Sequence, residues 1–220
     1  MNYIENVFFC LSAPLLVSVF VVHKYRRRSI LFIFTGMVAC LFSSYISTFL
    51  AKVLDASALD ASLEISPLIE ESLKLLPLVF YIMVYEPRNN EAAGEALMVG
   101  VGFATLENAC YLINNGAESA LDLVIRGFGT GAMHVVCGAI TAVVLRGLWE
   151  SLYFRFIATL GVLCVAITFH GIFNVLVNQQ GIAAWIGCFL PLILGAATVV
   201  TRRKLYGDAM DPIPGPLPGK

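Results

Sequence analysis

Long apolar stretches separated by short polar ones run along almost the whole chain. A helix crossing the hydrocarbon core of a bilayer needs about 20 mostly apolar residues, each adding about 1.5 Å. Seven stretches meet that length: Ile4–Val22, Ser29–Ala51, Ile65–Tyr85, Ala96–Asn115, Gly127–Trp149, Phe156–Val177 and Ile182–Val200. The pattern predicts an all-α, polytopic transmembrane helical bundle of about seven spans. The third and fourth stretches are the least apolar, because they hold charges. Residues 1–205 are expected to form one helical domain, and residues 206–220 a flexible tail, Pro/Gly-rich from Asp211 onward. No internal repeat or second domain is visible.

The placement of Lys and Arg predicts the orientation. With the N-terminus outside, the cytoplasmic segments hold Lys24, Arg26, Arg27, Arg28, Arg88, Arg146, Arg155, Arg202, Arg203, Lys204 and Lys220. The external segments then hold only Lys52 and Arg126, beside the acidic Asp55, Asp60, Glu64, Glu118 and Asp122. An even span count would break this pattern at the C-terminus, so seven spans, N-out and C-in, fit best. The first apolar stretch precedes its basic cluster and shows no small-residue cleavage site, so it reads as a retained span and not as a cleaved signal peptide.

Composition agrees with lipid as the solvent. Of 220 residues, 59% are hydrophobic and 13% charged, where a soluble domain carries about 25% charged residues. No basic, aromatic patch points to nucleic acid. Cys10, Cys40, Cys110, Cys137, Cys164 and Cys188 all fall in apolar stretches without a CxxC pair, which excludes the spacing of a zinc knuckle or a disulfide framework. They read as small buried hydrophobes, although Cys110 and Cys137 follow Glu107 and His134 by three residues.

The ionisable residues inside the predicted spans change the picture most. They are Glu70, Glu71 and Lys74 in the third span, Glu107 in the fourth, His134 in the fifth and His170 in the sixth, accompanied by Asn108 and Asn174. Such residues cost several kcal/mol unless paired or hydrated, and they mark function by default. Counted from the outer ends of their spans, Glu71 lies roughly 9 Å deep, Glu107 and His134 roughly 12 Å, and His170 roughly 10 Å. Four helices thus bring their costly residues to one level, which predicts a shared polar cavity in the outer half of the membrane.

Local spacing adds detail. Ser66 followed by Pro67 suits a helix start with Ser66 as the cap. Lys74 can pair with Glu70 at i+4 or Glu71 at i+3, and Pro77 is expected to kink the helix beside them. Gly100, Gly102, Ala104 and Ala109, and the run Gly127-Phe128-Gly129-Thr130-Gly131, permit close helix approach that brings Glu107 and His134 toward the third span. His170 and Asn174, one turn apart, share a face.

The ordered set Glu70-Glu71-x-x-Lys74, Phe103-x-x-x-Glu107-Asn108, His134 and His170-x-x-x-Asn174 resembles the PrsW family of intramembrane proteases. That family is similar to the CAAX-protease and bacteriocin-processing group of glutamic intramembrane proteases. The wider group usually ends its second motif in His, where this chain has Glu107. The resemblance covers roughly residues 66–178. It implies hydrolysis of a transmembrane or membrane-proximal protein, such as an anti-sigma factor, near the extracytoplasmic side of a bacterial cytoplasmic membrane. It further implies catalytic roles for Glu70, Glu71, Glu107, His134, His170 and Asn174, with Lys74, Phe103 and Asn108 in support. In one version Glu71 or Glu70 takes the proton from water, Glu107 and His134 position it, and His170 and Asn174 stabilise the oxyanion. In the other, a divalent metal such as zinc is held by Glu71, Glu107, His134 and His170. A proton- or ion-coupled transporter and a non-catalytic membrane scaffold are the alternatives from other classes. The absence of charged steps toward the cytoplasm and of an inverted repeat speaks against transport.

Overall fold

The structure, a computed structural model, describes residues 24–85, 89–115, 126–148, 152–179 and 181–206, together with Ile4 and Phe8. From the second apolar stretch onward, each predicted span is a helix. α1 covers Lys24–Val53. A short α2, Ala58–Asp60, continues through a π-helical turn, Ala61–Ile65, into α3, Ser66–Tyr85. α4 is Asn89–Asn115, and a second π-helical turn, Arg126–Thr130, leads into α5, Gly131–Leu148. α6 is Leu152–Val177 and α7 is Ile182–Tyr206. The first predicted span lies outside the described residues apart from Ile4 and Phe8, as does the tail beyond Tyr206. Three helices are long and apolar enough to cross a membrane, Arg27–Val53, Gly94–Asn114 and Phe154–Val177, and Ile182–Ala197 is a shorter apolar helix.

The expected cap at Ser66 is corrected by the backbone. Ser66 is itself helical (φ −60°, ψ −48°), and its N–H bonds the Ala61 carbonyl five residues back. The cap is Ser57, which is extended and accepts from the Asp60 N–H at 3.1 Å. The reason lies in Pro67. In the five-residue pattern of the turn, the donor due to the Ser62 carbonyl would be residue 67, and proline has none. Asn174 Nδ2 of α6 donates to that carbonyl instead, at 2.9 Å. Farther along, α3 continues through Pro77 to Tyr85.

α1 ends in a double-bonded cap. Asp55 takes φ 52°, a left-handed conformation that Asp tolerates. The Ala56 N–H then reaches the Ala51 carbonyl at 2.9 Å.

Glycines set how closely the central helices cross. A Cβ at Gly102 would stand 1.9 Å from the Ile33 carbonyl oxygen of α1, and one at Gly100 would stand 2.6 Å from the His134 carbonyl of α5. α4 is therefore wedged between α1 and α5, with backbone in contact on both sides. Around this contact, Met37, Cys40, Phe103 and Leu106 are buried together, while Met133, Cys137, Ala166 and Phe173 fill the space between α5 and α6. The outward faces expose Phe42 and Phe49 on α1, Leu76 and Phe80 on α3, Val165 and Ile172 on α6, and Phe189 and Ile193 on α7. Apolar surface of this extent calls for lipid around it.

One end of the bundle is tied by a pair that the apolar pattern does not reveal. Arg28 of α1 bonds buried Glu95 of α4 at 3.0 Å, and its guanidinium lies 5.6 Å from the Tyr81 ring centre of α3. From there to the polar residues of α3 and α4 is ten and twelve residues along the helices, roughly 15–18 Å.

Candidate active site

The four helices that carry ionisable residues bring them together. Glu71 and Lys74 come from the first half of α3, Glu107 from the second half of α4, His134 from the first turn of α5 and His170 from the end of α6. Of the two pairings open to Lys74, the structure forms the one with Glu71, Nζ donating to Oε1 at 2.6 Å. Nζ also lies 2.9 Å from His134 Nδ1. On the far side of the ring, His134 Nε2 is bonded to Glu107 Oε2. His170 Nδ1 lies 2.7 Å from Glu71 Oε1, and its Nε2 lies 3.8 Å from Glu70 Oε2.

These contacts fix where the imidazole protons sit. An ammonium only donates, so His134 Nδ1 is the acceptor and Nε2 carries the proton given to Glu107. A carboxylate only accepts, so His170 Nδ1 carries the proton given to Glu71 and its other nitrogen faces Glu70. Each imidazole is thus oriented by a carboxylate on one side. His134 is also gripped by its neighbours: it has no exposed surface, its ring centre lies 4.7 Å from that of Phe103, and the His170 ring stands at 89° to it, 5.2 Å away. Phe103 serves Lys74 too, whose ammonium is 4.9 Å from the ring centre.

A metal has donors here. One ligand atom each from Glu70, His134 and His170 lies within 4.8 Å of the others. With the carboxylates and the lysine in their ionised forms, three carboxylates against one ammonium give the site a net negative charge, which suits a divalent cation. The grouping differs from the predicted ligand set in using Glu70: Glu71 and Glu107 stand behind the histidines as their hydrogen-bond partners. The backing of a ligating His by a carboxylate is the usual outer shell of a metal centre.

The other expected residues fall at the margin. Asn174 shares the helix face of His170 but is turned to the Ser62 carbonyl. Asn108 packs beside Gly131, and its Oδ1 is buried with no hydrogen-bond partner among the described residues. Cys137 is buried in the apolar cluster between α5 and α6, and Cys110 packs against the core around Phe103. The described cysteines are all free thiols. Glu95 is the buried carboxylate that the sequence reading missed. It sits one residue before the apolar stretch beginning at Ala96, and its partner Arg28 is 67 residues away.

Comparison with known proteins places this arrangement. A protein-family model, the PrsW family intramembrane metalloprotease, matches residues 26–200. No curated protein and no solved structure matches the chain. The match spans all four of the site's helices and all of its ionisable residues, so the chain belongs to the PrsW family and is an integral membrane protein of the intramembrane protease class.

Proposed function

We propose, from this membership, that the chain hydrolyses a peptide bond of a membrane-embedded protein with a metal held by Glu70, His134 and His170. The observation that carries the reading is the convergence of those three donors from α3, α5 and α6, with a carboxylate behind each imidazole. A divalent metal bound there supplies Lewis-acid activation of water and polarises the scissile carbonyl. The protein's own residues do the rest. Glu71 holds the His170 proton at Nδ1 and so keeps Nε2 facing the donor group. Glu107 does the same for His134 from the opposite side of the ring. Its side chain is 27% exposed, against 16% for Glu70 and 4% for Glu71. Glu107 is therefore the most solvent-open of the three carboxylates, and it acts on the reaction through His134, whose tautomer and ring orientation it holds.

The substrate end of the reading follows from charge. The site lies toward the end of the bundle away from the Arg28–Glu95 pair, and the described helix ends on the Arg28 side carry Arg27, Arg155, Arg202 and Arg203. With seven spans, N-out and C-in, in a bacterial cytoplasmic membrane, cleavage falls near the extracytoplasmic surface, where an anti-sigma factor would present its membrane-proximal segment.

Metal analysis of the purified protein and a cleavage assay test the chemistry. Glu70→Gln and His170→Ala should abolish turnover, and Glu71→Gln should lower it about 10–100-fold, as loss of an outer-shell partner does. Full activity after chelation would return the chemistry to water activated by a carboxylate alone. Wild-type turnover in all three variants would remove the site from the reaction.

A further inference from the structure

The lysine at the centre of the site has no part in the metal chemistry just described, yet it sits among the donors. Lys74 Nζ contacts His134 Nδ1 at 2.9 Å and Glu71 Oε1 at 2.6 Å. The other nitrogen of His134 is committed to Glu107. If that pairing is kept, the only lone pair His134 can offer a metal is the one that accepts from Lys74. One nitrogen lone pair cannot serve an ammonium and a divalent cation together.

We infer that Lys74 is an internal cation that occupies the His134 Nδ1 position until a metal displaces it, so that loading of the site is a competition between the two. The inference rests on the metal-centre reading above. The structure gives the lysine somewhere to go. Its Nζ is already 4.9 Å from the Phe103 ring centre, and Glu71 lies one turn back on the same helix. Releasing His134 leaves both contacts in place. Glu71 does not depend on the lysine for its orientation, because His170 Nδ1 also donates to it. The arrangement keeps a net negative, buried donor group from standing uncompensated before a metal arrives, which is the costly state for buried charge. It also makes the resting site discriminate against weakly held cations, which cannot repay the loss of the Lys74–His134 bond.

Zinc affinity, measured by competition with a chromophoric chelator on detergent-purified full-length protein, tests this. Lys74→Met keeps the length of the side chain and removes the charge. It should bind zinc roughly ten- to hundredfold more tightly than wild type, the factor corresponding to one charge-assisted hydrogen bond. Lys74→Arg keeps the charge and should stay near wild type. Equal or weaker binding by Lys74→Met, with binding in both proteins lost on Glu70→Gln, overturns the inference and leaves the metal centre standing. Absence of zinc binding by wild type and variant alike overturns both. A second measurement needs no lysine variant: ¹⁵N-histidine spectra of the wild-type protein. Without zinc His134 should be the Nε2–H tautomer; with zinc its Nδ1 resonance should move while Nε2 keeps its proton. Coordination through His134 Nε2 would overturn the competition directly.

Discussion

At the scale of single residues, Lys74 and Asn174 each take a partner from a different helix or turn, His134 for the one and the Ser62 carbonyl for the other. Glutamates and histidines in apolar helices stand out because burying them is expensive. Spacing alone left Lys74 with two glutamates on one helical face, since i+3 and i+4 neighbours both adjoin it. The choice of Glu71 is made by tertiary contact, because His170 and His134 approach from other helices to share the same oxygen and the same ammonium. Asn174 shows the same limit. The family resemblance implies a donor to the reaction there, and spacing gives only the shared face with His170; in the structure its Nδ2 bonds the Ser62 carbonyl, which Pro67 leaves without a backbone donor. This gives a test by double-mutant cycle. Asn174→Ala should lower stability by about 1 kcal/mol, the worth of a hydrogen bond of this kind. Pro67→Ala supplies a backbone N–H to Ser62, and in that background Asn174→Ala should cost distinctly less. Thermal melting in detergent reads both differences, and equal costs in the two backgrounds would show that the proline does not create the need for Asn174.

The helices themselves were largely legible, because a run of about 20 apolar residues admits few other structures in lipid. Predicted and observed bounds of the stretch at 65–85 differ by one residue. What the apolar pattern could not show was the π-helical turn before α3, which arises from a helix forced to continue through Pro67, and the crossing geometry, which depends on which glycine faces which carbonyl. Gly100 faces His134 and Gly102 faces α1, so two glycines of one helix set separate contacts. An added methyl at Gly100 must push α5 away from α4 and carry His134 with it. Gly100→Ala should therefore cost roughly 1–3 kcal/mol through overpacking, and cleavage should fall about tenfold or more, since a shift of about 1 Å at a site can cost a hundredfold. Gly161 on α6 has no neighbour within 4 Å of an added Cβ. Gly161→Ala should keep full activity and gain about 0.5–1 kcal/mol from the better helix former. Melting temperature and turnover of the two alanine variants, side by side, separate crowding at the site from any general effect of replacing a helical glycine.

For the molecule as a whole, the decisive quantity is which end of the bundle faces which compartment. The helices alternate in direction: Arg28 at the start of α1 meets Glu95 at the start of α4 and Tyr81 near the end of α3. The loop around Asp55 and the α2 segment then belong to the opposite end, next to the site through the Ser62–Asn174 bond. Basic residues gather on the Arg28 side, and the rule relating such residues to the cytoplasm assigns that end inward. On the proposed N-out, C-in orientation the site end, with Asp55 and Asp60, would be extracytoplasmic. The two ends offer exposed positions for chemical labelling, Asp55 after α1 and Tyr85 at the end of α3. In a background with the native cysteines replaced, Asp55→Cys should react with a membrane-impermeant maleimide on intact cells, and Tyr85→Cys only after permeabilisation. The reverse pattern would turn the bundle over, and with it the compartment in which a substrate must present its cleavable bond. Because the labelling reports orientation without requiring turnover, it can be made on a Glu70→Gln protein, so that a wrong topology and a wrong catalytic assignment fail separately.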